Sequence, residues 1–293
     1  MTNSADIADP ASAILLIACP DRKGLVSSIT DYLFRNEGNI IDLEQHVDVH
    51  EDMFFMRIEW ELSDFKLSRE ELREDFSVSI AEKFSMRWRL YYSDDVPRMA
   101  VFVSKPRHCL YDILSRYQAG EWKVEIPVII SNHPDLEDAA KILGIDYHVF
   151  PISRDNKKTQ EQKQLALLND YQIDVIVLAR YMQIVSADFI DHYPNKIINI
   201  HHSFLPAFPG AKPYHSAYER GVKIIGATSH YVTAELDAGP IIEQDIIRVR
   251  HTDSIEDLMR KGQDVEKLVL SRAIWRHLNR QVLVYGNRTI VFG

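Results

Sequence analysis

Residues 173–179 read IDVIVLA, an apolar run interrupted only by Asp174. Such a run is typical of a strand buried on both faces, where alternation with polar residues is lost. Three further runs of this kind precede it: MAVFVS at 99–104, VEIPVII at 124–130 and YHVF at 147–150. Helical stretches at about 108–118, 134–143 and 157–171 separate them. Strands alternating with helices predict an α/β domain with an open, doubly wound, mostly parallel sheet. Ligands of such sheets bind beyond the carboxyl ends of the strands.

The next strand therefore matters most. KIINIHHSFLPAFPG, residues 196–210, begins as a strand, with Ile197, Ile198 and Ile200 around Asn199. It then breaks into a loop at Pro206, Pro209 and Gly210. Asn199 and His201 stand two residues apart, so an extended backbone points both to the same side. A carboxamide and an imidazole delivered together to the cleft edge suit a carbonyl that must become tetrahedral. Further on, LDAGPII offers a carboxylate, Asp237, on a Gly-Pro turn between strand-like runs. Asn199, His201 and Asp237 are the expected catalytic set.

The first 92 residues have another pattern. AILLIA (13–18) reads as a buried strand ending at Cys19-Pro20, and Gly24 opens a helix with Leu25, Val26, Ile29 and Leu33 on its apolar face. Gly38-Asn39 ends that helix. Strands follow at about 40–49 and 53–60, turning at Glu51-Asp52. Ser68 and Glu71 form a capping box before a helix to about Phe84, and a strand over 86–92 closes the unit. The order βαββαβ predicts a ferredoxin-like domain over 1–92. Residues 93–98, with Pro97, read as a linker, and 99–293 as the second domain.

Bulk properties set limits. At 293 residues the chain suits two domains, and a net charge of −9 argues against nucleic acid as a main partner. No apolar run approaches the roughly 18–20 residues of a membrane span, so no membrane partner is expected. The start, MTNSADIADPASA, lacks the basic segment of a secretory signal. Two cysteines, Cys19 and Cys109, are expected to stay reduced, which points to the cytoplasm. No HExxH or CxxC is present, so no metal is expected.

NIHHSFLPAFPG (199–210) together with HYVTAELDAGPIIEQ (230–244) resembles the folate-dependent formyltransferase family, and the likeness covers roughly residues 98–293. LARYMQIVSADFI (178–190) resembles the segment with which that family lines its folate pocket. By this resemblance Asn199, His201 and Asp237 fall on the family's catalytic Asn-His-Asp. Tyr181, Met182, Ile184 and Val185 become candidates for an apolar pterin slot, with backbone groups of Ala238 and Gly239. CPDRKGLVSSIT (19–30) resembles the ACT domain of amino-acid-responsive enzymes. That likeness implies an effector loop at Asp21, Arg22, Lys23 and Gly24 for a small amino acid, methionine or glycine, and a homo-oligomer.

The family contains transferases and a hydrolase. Transformylases that act on a nucleotide carry a glycine-rich phosphate turn after the first strand, where backbone amides hold the anion. Here that place reads VSKPRHCLYDIL (103–114), without glycine and with Pro106 lacking an N–H. Gln183 also stands where those enzymes have an arginine. Lys105, Arg107 and His108 fill the place of the missing turn. An ACT-like domain ahead of the formyltransferase-like one, and the tail DVEKLVLSRAIWRHLNRQVLVYGNRTIVF (264–292), match the layout of the family's hydrolase. The implied reaction is hydrolysis of 10-formyltetrahydrofolate, as substrate and not cofactor, to tetrahydrofolate and formate, supplying formate and balancing one-carbon pools. No separate cofactor is implied. Formyl transfer to an amine and a non-catalytic amino-acid sensor that binds folate are the alternatives. In the expected chemistry His201 acts as an imidazolium held charged by Asp237; alternatively Asp237 orients water. His202, on the opposite side of the strand, is assigned no direct role, and Ser203 is assigned to the loop. His215 and His230 lie near the motif loops.

Overall fold

The computed structural model describes residues 11–206 and 213–293, and Pro209 and Gly210 of the expected loop lie outside them. The chain divides into two compact units. One runs to Asp95 and includes Phe292–Gly293; the other runs from Val96 to Val291.

The first unit contains β1 (Ser12–Pro20), α1 (Leu25–Arg35), β2 (Ile40–Asp48), β3 (Met53–Glu61), α2 (Arg69–Phe76) and β4 (Arg87–Tyr92). Its sheet has the order β2-β3-β1-β4, and all three pairings are antiparallel. This is the expected βαββαβ arrangement. Alternate residues of β1 (Ala13, Leu15, Ile17) and β3 (Phe54, Met56, Ile58, Trp60) point to one face. There they meet Ile29 and Leu33 of α1 and Leu72 and Phe76 of α2. Ser68 caps α2 by accepting from the Glu71 amide, while Glu71 accepts from the Ser68 amide. The helix expected to reach Phe84 stays regular only to Phe76 and then widens into a π-helical turn, Ser77–Ala81.

The second unit follows the predicted alternation: β5 (Arg98–Val103), α3 (His108–Gln118), β6 (Glu125–Ser131), α4 (Glu137–Ile142), β7 (Asp146–Val149), α5 (Lys157–Asp170), β8 (Val175–Ala179), α6 (Ala187–Asp191) and β9 (Ile197–His201). It continues through α7 (Pro213–Arg220), β10 (Ile224–Tyr231), β11 (Ile241–Arg248), α8 (Ile255–Leu278) and the hairpin β12 (Val282–Tyr285) and β13 (Arg288–Val291). The seven-stranded sheet has the order β11-β10-β9-β8-β5-β6-β7. Its β9–β8–β5–β6–β7 portion is parallel, whereas β10 and β11 run antiparallel at one end.

The apolar runs have their length and composition because both sheet faces are covered. Met99, Val101 and Val103 of β5 and Val175 and Val177 of β8 pack toward Leu110 and Ile113 of α3 and Val269 and Ala273 of α8. The intervening Ala100, Phe102, Ile176 and Leu178 pack on the other face against Leu168 of α5 and Phe189 of α6. Connections leave β5 in one direction and β8 in the other. The switch between these adjacent strands opens a crevice at their carboxyl ends.

Candidate active site

The crevice is a cavity of about 510 Å³. Its wall is built from three places in the chain: Leu178 of β8 with residues 180–185 after it, residues 199–202 at the end of β9, and His230 with residues 232–237 after β10. The antiparallel register sets His230 of β10 opposite Asn199 of β9, and Thr228 opposite His201.

Asn199 is half-buried, with its Nδ2 3.2 Å from His230 Nε2. The tautomer of His230 follows from its other nitrogen. Nδ1 lies 2.9 Å from the Tyr231 carbonyl oxygen, which can only accept, so Nδ1 carries the proton and donates. Nε2 is then the acceptor for Asn199. One carboxamide N–H is fixed in place and the other is left for a ligand. Burial, before any other cause, holds the His230 imidazole below the usual histidine range, consistent with the neutral form.

His201 is buried, and its Nδ1 lies 3.2 Å from Asp237 Oδ1. Its Nε2 is buried with no hydrogen-bond partner among the described residues. A donor at Nδ1 facing a carboxylate leaves Nε2 as a basic lone pair on a residue that lines the cavity. Burial is the largest influence on His201, and together with His230 and Arg180 it outweighs the opposing pull of Asp237. The imidazole is therefore held below its ordinary pKa. The expectation of a His201 kept charged by Asp237 is corrected on this point: in so enclosed a place the lost hydration of the cation exceeds one carboxylate's attraction.

Asp237 reaches His201 because the 232–240 loop folds tightly back on the sheet. Asp237 itself has φ 55°, in the left-handed region. A Cβ at Gly239 would lie 1.8 Å from the Tyr231 carbonyl oxygen, so only glycine fits that approach.

Tyr181, Met182, Ile184 and Val185 all line the cavity. Met182 and Ile184 are 55% and 60% exposed, which leaves apolar surface at the mouth, whereas Tyr181 and Val185 also belong to the core under β8. Ala238 and Gly239 lie outside the wall, which ends at Asp237. The Ala238 carbonyl instead accepts from Asn287 Nδ2 at 2.8 Å. In the first unit Asp21, Arg22 and Gly24, but not Lys23, line a separate hollow of about 360 Å³ with Gln45 and Phe54.

His202 departs from its expected place. Strand alternation ends with β9 at His201, and the chain turns so that His202 lines the same cavity, its ring centroid 5.0 Å from that of His201. Burial, then the Arg180 charge, lowers its pKa to about 4. His215 is exposed on α7, and the Ser203 carbonyl accepts from Thr228 Oγ1 within the loop. Of the residues standing in place of a phosphate turn, Lys105 and Arg107 are exposed. His108 turns inward, its Nε2 2.8 Å from Glu266 Oε2.

Glu266 of α8 is 1% exposed and also accepts from Tyr214 Oη at 2.7 Å, with Arg180 Nε 3.4 Å away. Burial works against its charge, but His108, Arg180 and Tyr214 together hold the carboxyl below the usual range. Its neighbours His108 and Cys109 are the ligand-type side chains whose donor atoms come within 4.8 Å of it and of each other. Both Glu266 oxygens are taken up by the hydrogen bonds just described. Arg180 was not singled out from the sequence, although a charged residue directly after VLA of β8 stands at the carboxyl edge where a cleft is expected.

The sequence pattern of the formyl transferase family matches residues 97–274. A formyltetrahydrofolate deformylase of Synechocystis sp. is 56% identical over 281 residues, spanning 96% of this chain and 98% of the relative. One of Bacillus subtilis is 49% identical, over 95% of this chain and 93% of the relative. Among solved structures, a formyltetrahydrofolate deformylase from Pseudomonas syringae pv. tomato superposes with a TM-score of 0.95 at 45% identity, covering 98% of this chain and 96% of that one.

Proposed function

The chain belongs to the formyl transferase family, among its formyltetrahydrofolate deformylases, and from that membership we propose how its residues hydrolyse 10-formyltetrahydrofolate to tetrahydrofolate and formate. The observation that carries the assignment of roles is the convergence of Asn199, His201 and Asp237 on one cavity.

The pterin and its linker occupy the apolar wall from Tyr181 to Val185. The formyl carbonyl lies against the free N–H of Asn199. Neutral His201 takes a proton from water through Nε2 as the water oxygen bonds to the formyl carbon. Asp237, bonded at Nδ1, holds the required tautomer and stabilises the imidazolium that forms. Asn199 stabilises the oxyanion. His201 then returns the proton to N10 as the C–N10 bond breaks, and formic acid loses its own proton to give formate. Incubating the protein with 10-formyltetrahydrofolate and no acceptor tests the reaction: stoichiometric formate and tetrahydrofolate are expected, and no release without an added amine overturns it.

For the first unit the reading is an ACT domain that binds a small amino acid in the hollow at Asp21, Arg22 and Gly24. Its βαββαβ order and the charged lip of the hollow support this. Calorimetric titration of the full chain with methionine and glycine checks it; silence from both removes it. Self-association is supported by the open edge strand β2, which carries Ile41, 51% exposed, and is followed by Val49, 85% exposed. Two free, buried thiols support a cytoplasmic location. Among the described residues no helix is long and apolar enough to cross a membrane.

A further inference from the structure

Hydrolysis differs from formyl transfer in what it leaves at the formyl carbon. Transfer leaves a neutral amide on the acceptor. Hydrolysis adds a second oxygen and ends with a carboxylate. Asn199 can serve one of those oxygens; the second needs a donor that transfer does not require.

Arg180 is placed for it. Its side chain lines the cavity with Asn199, His201 and His202, and only 14% of it is exposed. Its backbone is held at φ 63°, in the left-handed region that a residue with a Cβ seldom adopts. Its contact with Glu266 does not account for it. Glu266 already accepts from His108 and Tyr214 at 2.8 and 2.7 Å, while Arg180 Nε stands at 3.4 Å and makes no hydrogen bond among the described residues. Glu266 therefore supplies a counter-charge rather than using up the guanidinium. The cation, balanced by Glu266 on one side, lies beside two histidines whose protonation it disfavours, and its side chain lines the cavity, where an anionic oxygen can reach it.

Resting on the deformylase reading, we propose that Arg180 is a further catalytic residue, whose guanidinium binds the second oxygen of the tetrahedral intermediate and then the formate product. In that step the water oxygen bonds to carbon, the C–N10 bond breaks, one water proton passes to N10, and the other leaves with the ionisation of formic acid. The two oxygens of formate end on Asn199 and Arg180. Guanidinium suits this because it is always charged and presents several N–H groups in one plane.

The test measures product inhibition by formate and the steady-state constants for the wild type, Arg180→Gln and Arg180→Lys. Arg180→Gln is expected to weaken formate inhibition at least about tenfold and to lower kcat about 10²–10³-fold, with KM for the folate little changed. Arg180→Lys, which keeps a charge, falls between. Removing the cation also moves the acid limb of the kcat/KM profile to higher pH, because His201 then protonates more readily. That shift follows from the lost charge alone; the weakened formate inhibition is the change that a merely structural role would not produce. Folded Arg180→Gln with unchanged formate inhibition overturns the proposal.

A carboxylate could instead come from the glutamate tail of the folate. In that case the Arg180→Gln defect disappears on 10-formyltetrahydropteroate, which lacks the tail, and the proposal is overturned. Should the variants not fold, ¹³C-formate NMR on the wild type with tetrahydrofolate decides: saturable binding with a nuclear Overhauser contact from formate to the Arg180 side chain supports the proposal, and no binding, or binding without that contact, overturns it. Acceptor-free formate release by the wild type, measured in the same preparations, tests the deformylase reading separately.

Discussion

Asn199 and His201 share a side of β9, but their roles come from what each touches. Asn199 is oriented by a neutral His230 and His201 by Asp237. Asn199→Ala removes the oxyanion donor and is expected to lower kcat/KM about 10²–10³-fold, equal to about 3–4 kcal/mol of barrier, with KM for the folate nearly unchanged. The pH dependence has a definite sign. His201 must be neutral to accept a proton, and its folded pKa is depressed below 6.5. The rate therefore falls only as pH drops below the ordinary histidine range, and a kcat/KM profile shows whether the acid limb lies there. A limb above about 7 would return His201 to the role of a resting imidazolium. The Asn-His pair was legible in the sequence from a spacing of two on a strand. The protonation of His201 was not, because it depends on burial and on Arg180, which arrives from another strand.

At the scale of elements, two glycines hold the site's supports in place by having no side chain. Gly239 lets the loop carrying Asp237 close onto Tyr231. Gly262 of α8 makes room for Tyr214, whose hydroxyl would be 2.0 Å from a Cβ there. Gly262→Ala is expected to push Tyr214 away from Glu266 and destabilise the protein by about 1–3 kcal/mol, read as a lowered urea midpoint at unchanged slope. Gly239→Ala forces the loop off Tyr231 and shifts Asp237, and is expected to lower both kcat and the urea midpoint, read by parallel turnover and denaturation measurements. The parallel strands and helices α3, α4 and α5 were readable because doubly buried strands leave apolar runs of fixed length, and the helices fill the intervals between those runs. The end of regular α2 at Phe76 was not, since a π-helical turn keeps a nearly helical pattern.

Over the whole molecule, buried neutral histidines tie stability to pH. His202 titrates at about 4 in the folded protein, against about 6.5 in an unfolded chain. Between those values the unfolded chain binds the extra proton and the folded one does not. Stability therefore declines as pH falls from about 6.5 to 4. Urea midpoints measured across this window should fall with pH, and less steeply in His202→Asn; equal slopes for the two proteins would exclude His202 as the source.

The sequence by itself determined the layered parallel sheet, the βαββαβ order of the first unit and the end of the strand at which chemistry is expected. Those features are written in local periodicity, and each needs only a residue and its near neighbours in the chain. Which charges meet was decided by tertiary structure alone. The β9–β10 register sets His230 against Asn199, the reversal at β5 and β8 opens the crevice, and α8 brings Glu266 to Arg180 across 86 positions of sequence. Burial and pKa are properties of that assembled surrounding, and no stretch of the chain carries them on its own.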